Sequence, residues 1–115
     1  MESELCGSTE HEQPAAPPLV TAAIRERASR MLAAAGDPSR LALLELLGDR
    51  ERCVSDLAAL TGDSMPAVSQ RLRVLRGERL VTSRRDGKHV RYRLADQHIQ
   101  QLILNLLRHA AEADG

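Results

Sequence analysis

Four side chains near the C-terminus have the types and spacing to share a transition metal: Asp96 and His98 at one end of an apolar stretch, His109 and Glu112 at the other. Between them Ile99, Leu102, Ile103, Leu106 and Leu107 follow spacings of 3, 1, 3 and 1, the stripe of an amphipathic helix. On a helix, His98 and His109, eleven residues apart, differ by only about 20° in azimuth but are separated by roughly 16 Å along the axis. Zinc holds imidazole nitrogens at about 2.0–2.1 Å, so one chain cannot bring both onto one ion. Two antiparallel copies can, with Asp96 and His98 of one meeting His109 and Glu112 of the other. The implied object is a two-fold dimer with a pair of four-ligand sites across its interface. A blander assignment makes Asp96 the N-cap of the last helix, His98 part of its first turn, and His109 with Glu112 a solvated i, i+3 pair.

A second set is more scattered. Cys53 and Asp56 are three residues apart, which is expected to place both on one face of the first turn of a short helix. Two ligands do not make a zinc site, but Cys6 and His11 in the N-terminal stretch would supply the missing two. Otherwise Asp56 simply suits the positive end of a helix, Cys53 is a small apolar residue, and the other two do nothing.

The elements that must position these groups follow from patterning. Residues 1–18 are polar and then proline-rich, with Pro14, Pro17 and Pro18, and are expected to form a mobile arm; residues 19–113 make one domain. With 115 residues, 43% of them hydrophobic but no Phe or Trp, the core must be aliphatic, which suits packed helices. A first helix is expected from Leu19 to Ala35, stopped by Gly36, and a second begins at Asp37-Pro38, with Asp as N-cap and Pro in the first turn, and ends near Gly48. A third starts at Cys53 and is closed by Thr61-Gly62-Asp63; Ser64 caps a fourth, running from Met65 to about Arg79. In that fourth helix Val68, Leu72 and Leu75 share a buried side, leaving Ser69, Gln70, Arg71, Arg73 and Arg76 outward. Two short helices around a tight glycine turn read as helix-turn-helix. Arg and Gln can bond base edges in two places, and Ser64 and Ser69 can donate to phosphate. Taken alone, the fourth helix also fits a solvated basic surface.

Two alternating segments around Asp86-Gly87 then predict a β-hairpin between Thr82 and Leu94. Its basic tip and edge carry Arg84, Arg85, Lys88 and Arg91, with His89 on the same element and not counted as a ligand. A hairpin directly after a helix-turn-helix is a wing. The whole chain has sixteen basic and sixteen acidic residues, yet Met65–Leu94 holds nine Arg or Lys against Glu78 and Asp86, a local +7. Such a concentration is an electrostatic footprint for phosphates. The architecture expected is mainly α with a β-hairpin wing, α-α-α-α-β-β-α. No apolar run approaches the roughly 20 residues that span a bilayer, and Met1-Glu2-Ser3-Glu4 does not open an export signal, so a soluble cytoplasmic protein with free thiols is expected.

These marks together resemble the ArsR/SmtB family of dimeric winged-helix metal-sensing repressors. The resemblance rests on Gly36-Asp37-Pro38-Ser39-Arg40-Leu41, Cys53-Val54-Ser55-Asp56-Leu57, Ala67-Val68-Ser69-Gln70-Arg71-Leu72, Gly87-Lys88-His89-Val90-Arg91-Tyr92 and the closing Asp-x-His-x10-His-x2-Glu, and covers about residues 19–113. It implies a homodimer joined by the first and last helices, binding of double-stranded operator DNA without metal, and release when metal binds. It also implies two site classes, one matched by Asp96, His98, His109 and Glu112, the other by Cys53 and Asp56 with Cys6 and His11. Members that sense cadmium, lead or arsenic commonly have a second cysteine where this chain has Ser55. The remaining mixed nitrogen, oxygen and sulfur donors point to zinc as regulatory ligand before cobalt, nickel or cadmium. An enzyme is not expected: a zinc hydrolase needs an open coordination position, and no His-Glu-x-x-His element is present. The competing reading is a metal-blind winged-helix module that binds DNA or protein.

Overall fold

Most helix starts are written into the chain by capping side chains, which the computed structural model, describing residues 20–114, shows at work; the helix that follows Cys53 begins without a side-chain cap bond. Thr21 Oγ1 accepts from the Ile24 N–H at 3.2 Å and opens α1 (Ala22–Ala35). Asp37 opens α2 (Pro38–Leu46), its Oδ2 accepting from the Arg40 N–H at 3.1 Å and from the Ser39 hydroxyl, while Pro38 fills a first-turn position that needs no donor. Arg40 then reaches back, its Nε donating to the Ala34 carbonyl at 2.7 Å. The Gly-Asp-Pro-Ser-Arg run is therefore a corner joining α1 to α2, with a local reason for four of its residues.

α3 (Val54–Thr61) ends at Gly62, whose φ of 77° is the left-handed conformation open to glycine. Ser64 opens α4 (Met65–Gly77), accepting from the Ala67 N–H at 3.2 Å. The C-terminal end of α4 departs from the usual pattern. Leu80 N–H bonds the Leu75 carbonyl and Arg79 N–H the Arg76 carbonyl, a Schellman closure, but the left-handed position is held by Arg79 at φ 62°. A side chain there carries a steric cost of about 1–2 kcal/mol. Arg79→Gly is expected to raise stability by up to ~1 kcal/mol, since glycine's larger unfolded-state entropy offsets part of the relief. Thermal unfolding at fixed protein concentration checks it; a lower Tm would show that the Arg79 side chain makes a compensating contact.

Three strands follow the order β1-β3-β2, all antiparallel: β1 (Arg52–Cys53), β2 (Val81–Asp86) and β3 (His89–Leu94). Two expectations need correction here. Arg52 and Cys53 pair with Tyr92 and Arg91, so Cys53 belongs to a short strand and serves as N-cap of α3 instead of lying in its first turn. Its backbone is extended, at φ −91° and ψ 169°. The hairpin register also lies one residue later than Asp86-Gly87 suggests: Asp86 pairs with His89, leaving Gly87-Lys88 as the loop with Gly87 at φ 64°. A glycine at the first loop position, followed by a residue without positive φ, is the type II′ arrangement, whose twist suits a hairpin.

The core is aliphatic throughout. Leu43 and Leu44 of α2, Leu57 of α3, Val68, Leu72 and Leu75 of α4, and Leu80 and Val81 entering β2 are 2% exposed or less. Ile99 and Ile103 dock α5 (Gln97–Asp114) onto this cluster. Among the described residues no helix is long and apolar enough to cross a membrane.

Capping and pairing also set the acid limit of the fold. Asp37 is held below the ordinary carboxylate range by the Ser39 hydroxyl, Glu51 by Arg84, Asp86 by Arg91 and Asp96 by the Ile99 N–H. A depressed folded-state pKa gives stability that is complete above the unfolded values, about 3.9 for Asp and 4.3 for Glu, and lost as pH falls through the lower folded values. The urea midpoint of metal-free protein is thus expected to fall steeply below about pH 4. Asp37→Asn is expected to blunt that fall; an identical acid profile would show that the α2 cap contributes nothing to it.

Candidate nucleic-acid interface and metal ligands

The turn between α3 and α4 is braced by its own polar side chains. Thr61 Oγ1 donates to the Leu57 carbonyl at 2.8 Å and accepts from the Asp63 N–H at 3.3 Å. Asp63 Oδ2 in turn accepts from Arg71 Nη1 at 2.8 Å, so Arg71, expected outward, is drawn back onto the turn and half-buried. Ser69 is also half-buried. Gln70, Arg73 and Arg76 are exposed, and Arg73 Nη1 donates to Gln70 Oε1 at 3.0 Å, coupling two side chains of the outer face. Ser64 spends an acceptor lone pair on its cap, which leaves the hydroxyl proton for an outside acceptor. Met65, at the first position of α4, is 50% exposed, an apolar surface the patterning did not single out.

On the wing, Arg85 and Lys88 are exposed. Arg91 Nε donates to Asp86 Oδ2 at 2.8 Å, and Arg84 is bound to Glu51 through contacts of 2.7, 2.9 and 3.1 Å. These pairs raise both arginine pKa values, first through the hydrogen bond to the carboxylate. Glu51 lies outside the basic stretch, just before β1, and sequence patterning gave no sign of it as a partner of the wing. Val90, Arg91 and Tyr92 are half-buried and Leu94 buried, while His89 and Arg93 are exposed.

On α5 the apolar stripe divides. Ile99 and Ile103 are buried and Leu107 half-buried, but Leu102 and Leu106 stay 46% and 47% exposed. Counting about 100° per residue, Leu102 and Leu106 fall within roughly 80° of His98 on the side that also carries His109 and Glu112. His98, His109 and Glu112 are all exposed. Asp96 caps α5, its Oδ1 accepting from the Ile99 N–H at 3.0 Å and lying 3.6 Å from His98 Nδ1. The cap engages Oδ1 and leaves Oδ2 as a second oxygen for another partner, so capping and ligation are compatible. Within one chain, the described residues gather no group of three or more candidate ligands. Cys53, half-buried and 3.1 Å from Ser55 Oγ, stands on the same α3 entrance as exposed Asp56. Cys6 and His11 lie outside the described residues.

Residues 37–83 match the bacterial regulatory protein, arsR family. A transcriptional repressor SmtB homolog of Synechocystis is 44% identical over 77% of this chain and 67% of its own length. The chain belongs to the ArsR family. A transcriptional repressor SmtB of Mycobacterium tuberculosis is 37% identical over 86% of the chain and 71% of that protein. Among solved structures, the homodimeric winged helix-turn-helix DNA-binding domain of a possible ArsR-family transcriptional regulator from Mycobacterium bovis superposes with a TM-score of 0.76 at 30% identity, covering 86% of this chain and 92% of that one. The ArsR/SmtB protein described here is thus a winged helix-turn-helix transcriptional regulator and not an enzyme.

Proposed function

We propose that this ArsR/SmtB protein is a zinc-responsive repressor that binds operator DNA as a metal-free homodimer in the cytoplasm and lets go when zinc binds. The observation that carries the reading is the outer face of α5, where exposed Leu102 and Leu106 lie between exposed ligand-type side chains at both ends. A second copy packed on that face buries the leucines and brings His109 and Glu112 to Asp96 and His98. Two imidazoles and two carboxylates form a four-donor set suited to tetrahedral zinc, with cobalt, nickel or cadmium as weaker fits. Zinc bound there would supply a cross-link between the two last helices. Cys53 and Asp56 with Cys6 and His11 form a second candidate set of the same ion class.

On the DNA side, Gln70 and Arg73 are placed for base edges, Ser64 and Ser69 for phosphate, and Arg84, Arg85, Lys88 and Arg91 for the flanking backbone. Arg71 fixes the turn that presents α4. Because α4 and α5 belong to one rigid core through Ile99 and Ile103, a change in how two α5 helices meet alters the separation of the two α4 helices. Matching successive major grooves requires about 34 Å between them.

The test uses a labelled duplex selected by the metal-free protein from a random pool. Zinc is expected to weaken binding by about 100-fold, which requires a preference of about 2.7 kcal/mol for the DNA-incompetent geometry. Two ions per dimer are expected from the α5 set. Zinc bound with unchanged DNA affinity overturns the switch, and no zinc binding favours the metal-blind module.

A further inference from the structure

Glu51 is the acidic group of this domain most out of keeping with a phosphate-binding wing. It stands at the end of the α2–β1 connection, thirty-three residues from Arg84 in sequence, yet its carboxylate takes the Arg84 guanidinium in a fork: Nε to both oxygens at 3.1 and 2.9 Å and Nη2 to Oε1 at 2.7 Å. Arg93 Nε on the adjacent strand is 3.9 Å from Glu51 Oε2. The Asp86–Arg91 and Asp63–Arg71 pairs are local, within a hairpin and a turn. The Glu51 pair instead ties the wing to the body of the domain.

A guanidinium carries five N–H donors, and its Nε/Nη2 edge, the one Glu51 takes, fits a carboxylate or a phosphate in the same bidentate manner. Arg84 cannot satisfy both with the same N–H groups. We infer that Glu51 is an internal counter-anion that occupies the wing arginine in place of a DNA phosphate and so sets the affinity for DNA of any sequence. The inference rests on the reading that the wing meets DNA, and deepens it. On that edge Arg84 reaches a phosphate only by leaving Glu51, and its charge is already matched by the carboxylate, so part of the phosphate attraction is cancelled in advance. Non-specific binding consists almost wholly of that attraction, whereas operator binding adds base contacts from α4. Glu51 therefore lowers binding to random DNA and to the operator through the same phosphate attraction, without touching a base.

The connection that holds Glu51 is itself held by the sensing helix. Gln100 Nε2 of α5 donates to the Gly48 carbonyl at 2.7 Å. The residues that set the position of the counter-anion are in this way attached to the first turn of α5, at Gln100, two residues beyond His98.

Fluorescence anisotropy with a random-sequence duplex, read across a salt series for Glu51→Gln, Arg84→Ala and the double variant, tests the inference in the full metal-free chain. Glu51→Gln is expected to tighten binding by about 2- to 5-fold, the range an exposed ion pair spans. It should also steepen the slope of log K against log salt by about 0.9, one more phosphate neutralised. Arg84→Ala should weaken binding, and the double variant should match Arg84→Ala alone. If Glu51→Gln weakens binding or leaves it unchanged while Arg84→Ala still weakens it, Glu51 positions the arginine and the counter-anion role is wrong. If Arg84→Ala leaves affinity and slope unchanged, the wing does not meet DNA, and the inference falls together with that part of the reading on which it rests.

Discussion

His109→Ala is expected to bind the operator as the wild-type protein does and to lose the proposed release on adding zinc, a loss of about 100-fold in the metal response. His109 is exposed on α5 and belongs neither to the core cluster nor to the residues packed against it, so its truncation removes no core packing. Its contribution on the proposed reading is confined to the set that a second copy would complete. His98→Ala should produce the same loss, since both imidazoles belong to one four-donor set, and the double variant should be no worse than either single one, as expected of residues acting as a unit. Anisotropy of the labelled operator with and without zinc checks all three variants. A His109→Ala protein that still releases DNA at wild-type zinc concentration would move the switch away from α5, and Cys53→Ser would then become the informative variant.

The candidate set on α5 could be read from spacing because both its halves are local. Asp96 with His98, and His109 with Glu112, are each within one turn, and the helix joining them is regular enough for its azimuths to be counted. The faces of α4 were legible for the same reason: Val68, Leu72 and Leu75 are buried as their spacing requires. What escaped depends on groups distant in sequence. β1 is two residues long, too short for any alternation to register, and exists because β3 offers it an edge. The Glu51–Arg84 pair joins positions with no periodic relation. Even the α5 stripe carried two meanings. Spacing groups Ile99 with Leu102 and Ile103 with Leu106, and only the packing separates the pair that docks on the domain from the pair left for a partner.

Leu72→Ala is the substitution expected to cost most stability. Leu72 is fully buried in α4 among Val68, Leu75 and the leucines of α2 and α3. Truncating a buried leucine removes its transfer free energy and leaves a cavity, together about 3–5 kcal/mol. Domains of this kind hold only about 5–15 kcal/mol in total. At about 4–8 °C per kcal/mol, Tm should fall by roughly 12 °C or more. Leu60→Ala, on α3 at 55% exposed, removes the same atoms from a surface position and should shift stability by no more than about 0.5 kcal/mol. Both measurements need one fixed concentration, because a dimer's Tm rises with concentration. If Leu72→Ala and Leu60→Ala lower Tm equally, α4 is not anchored through Leu72. In that case a change at α5 could not reach the DNA-reading face through the core, and the rigid coupling on which zinc-driven release depends would be lost with it.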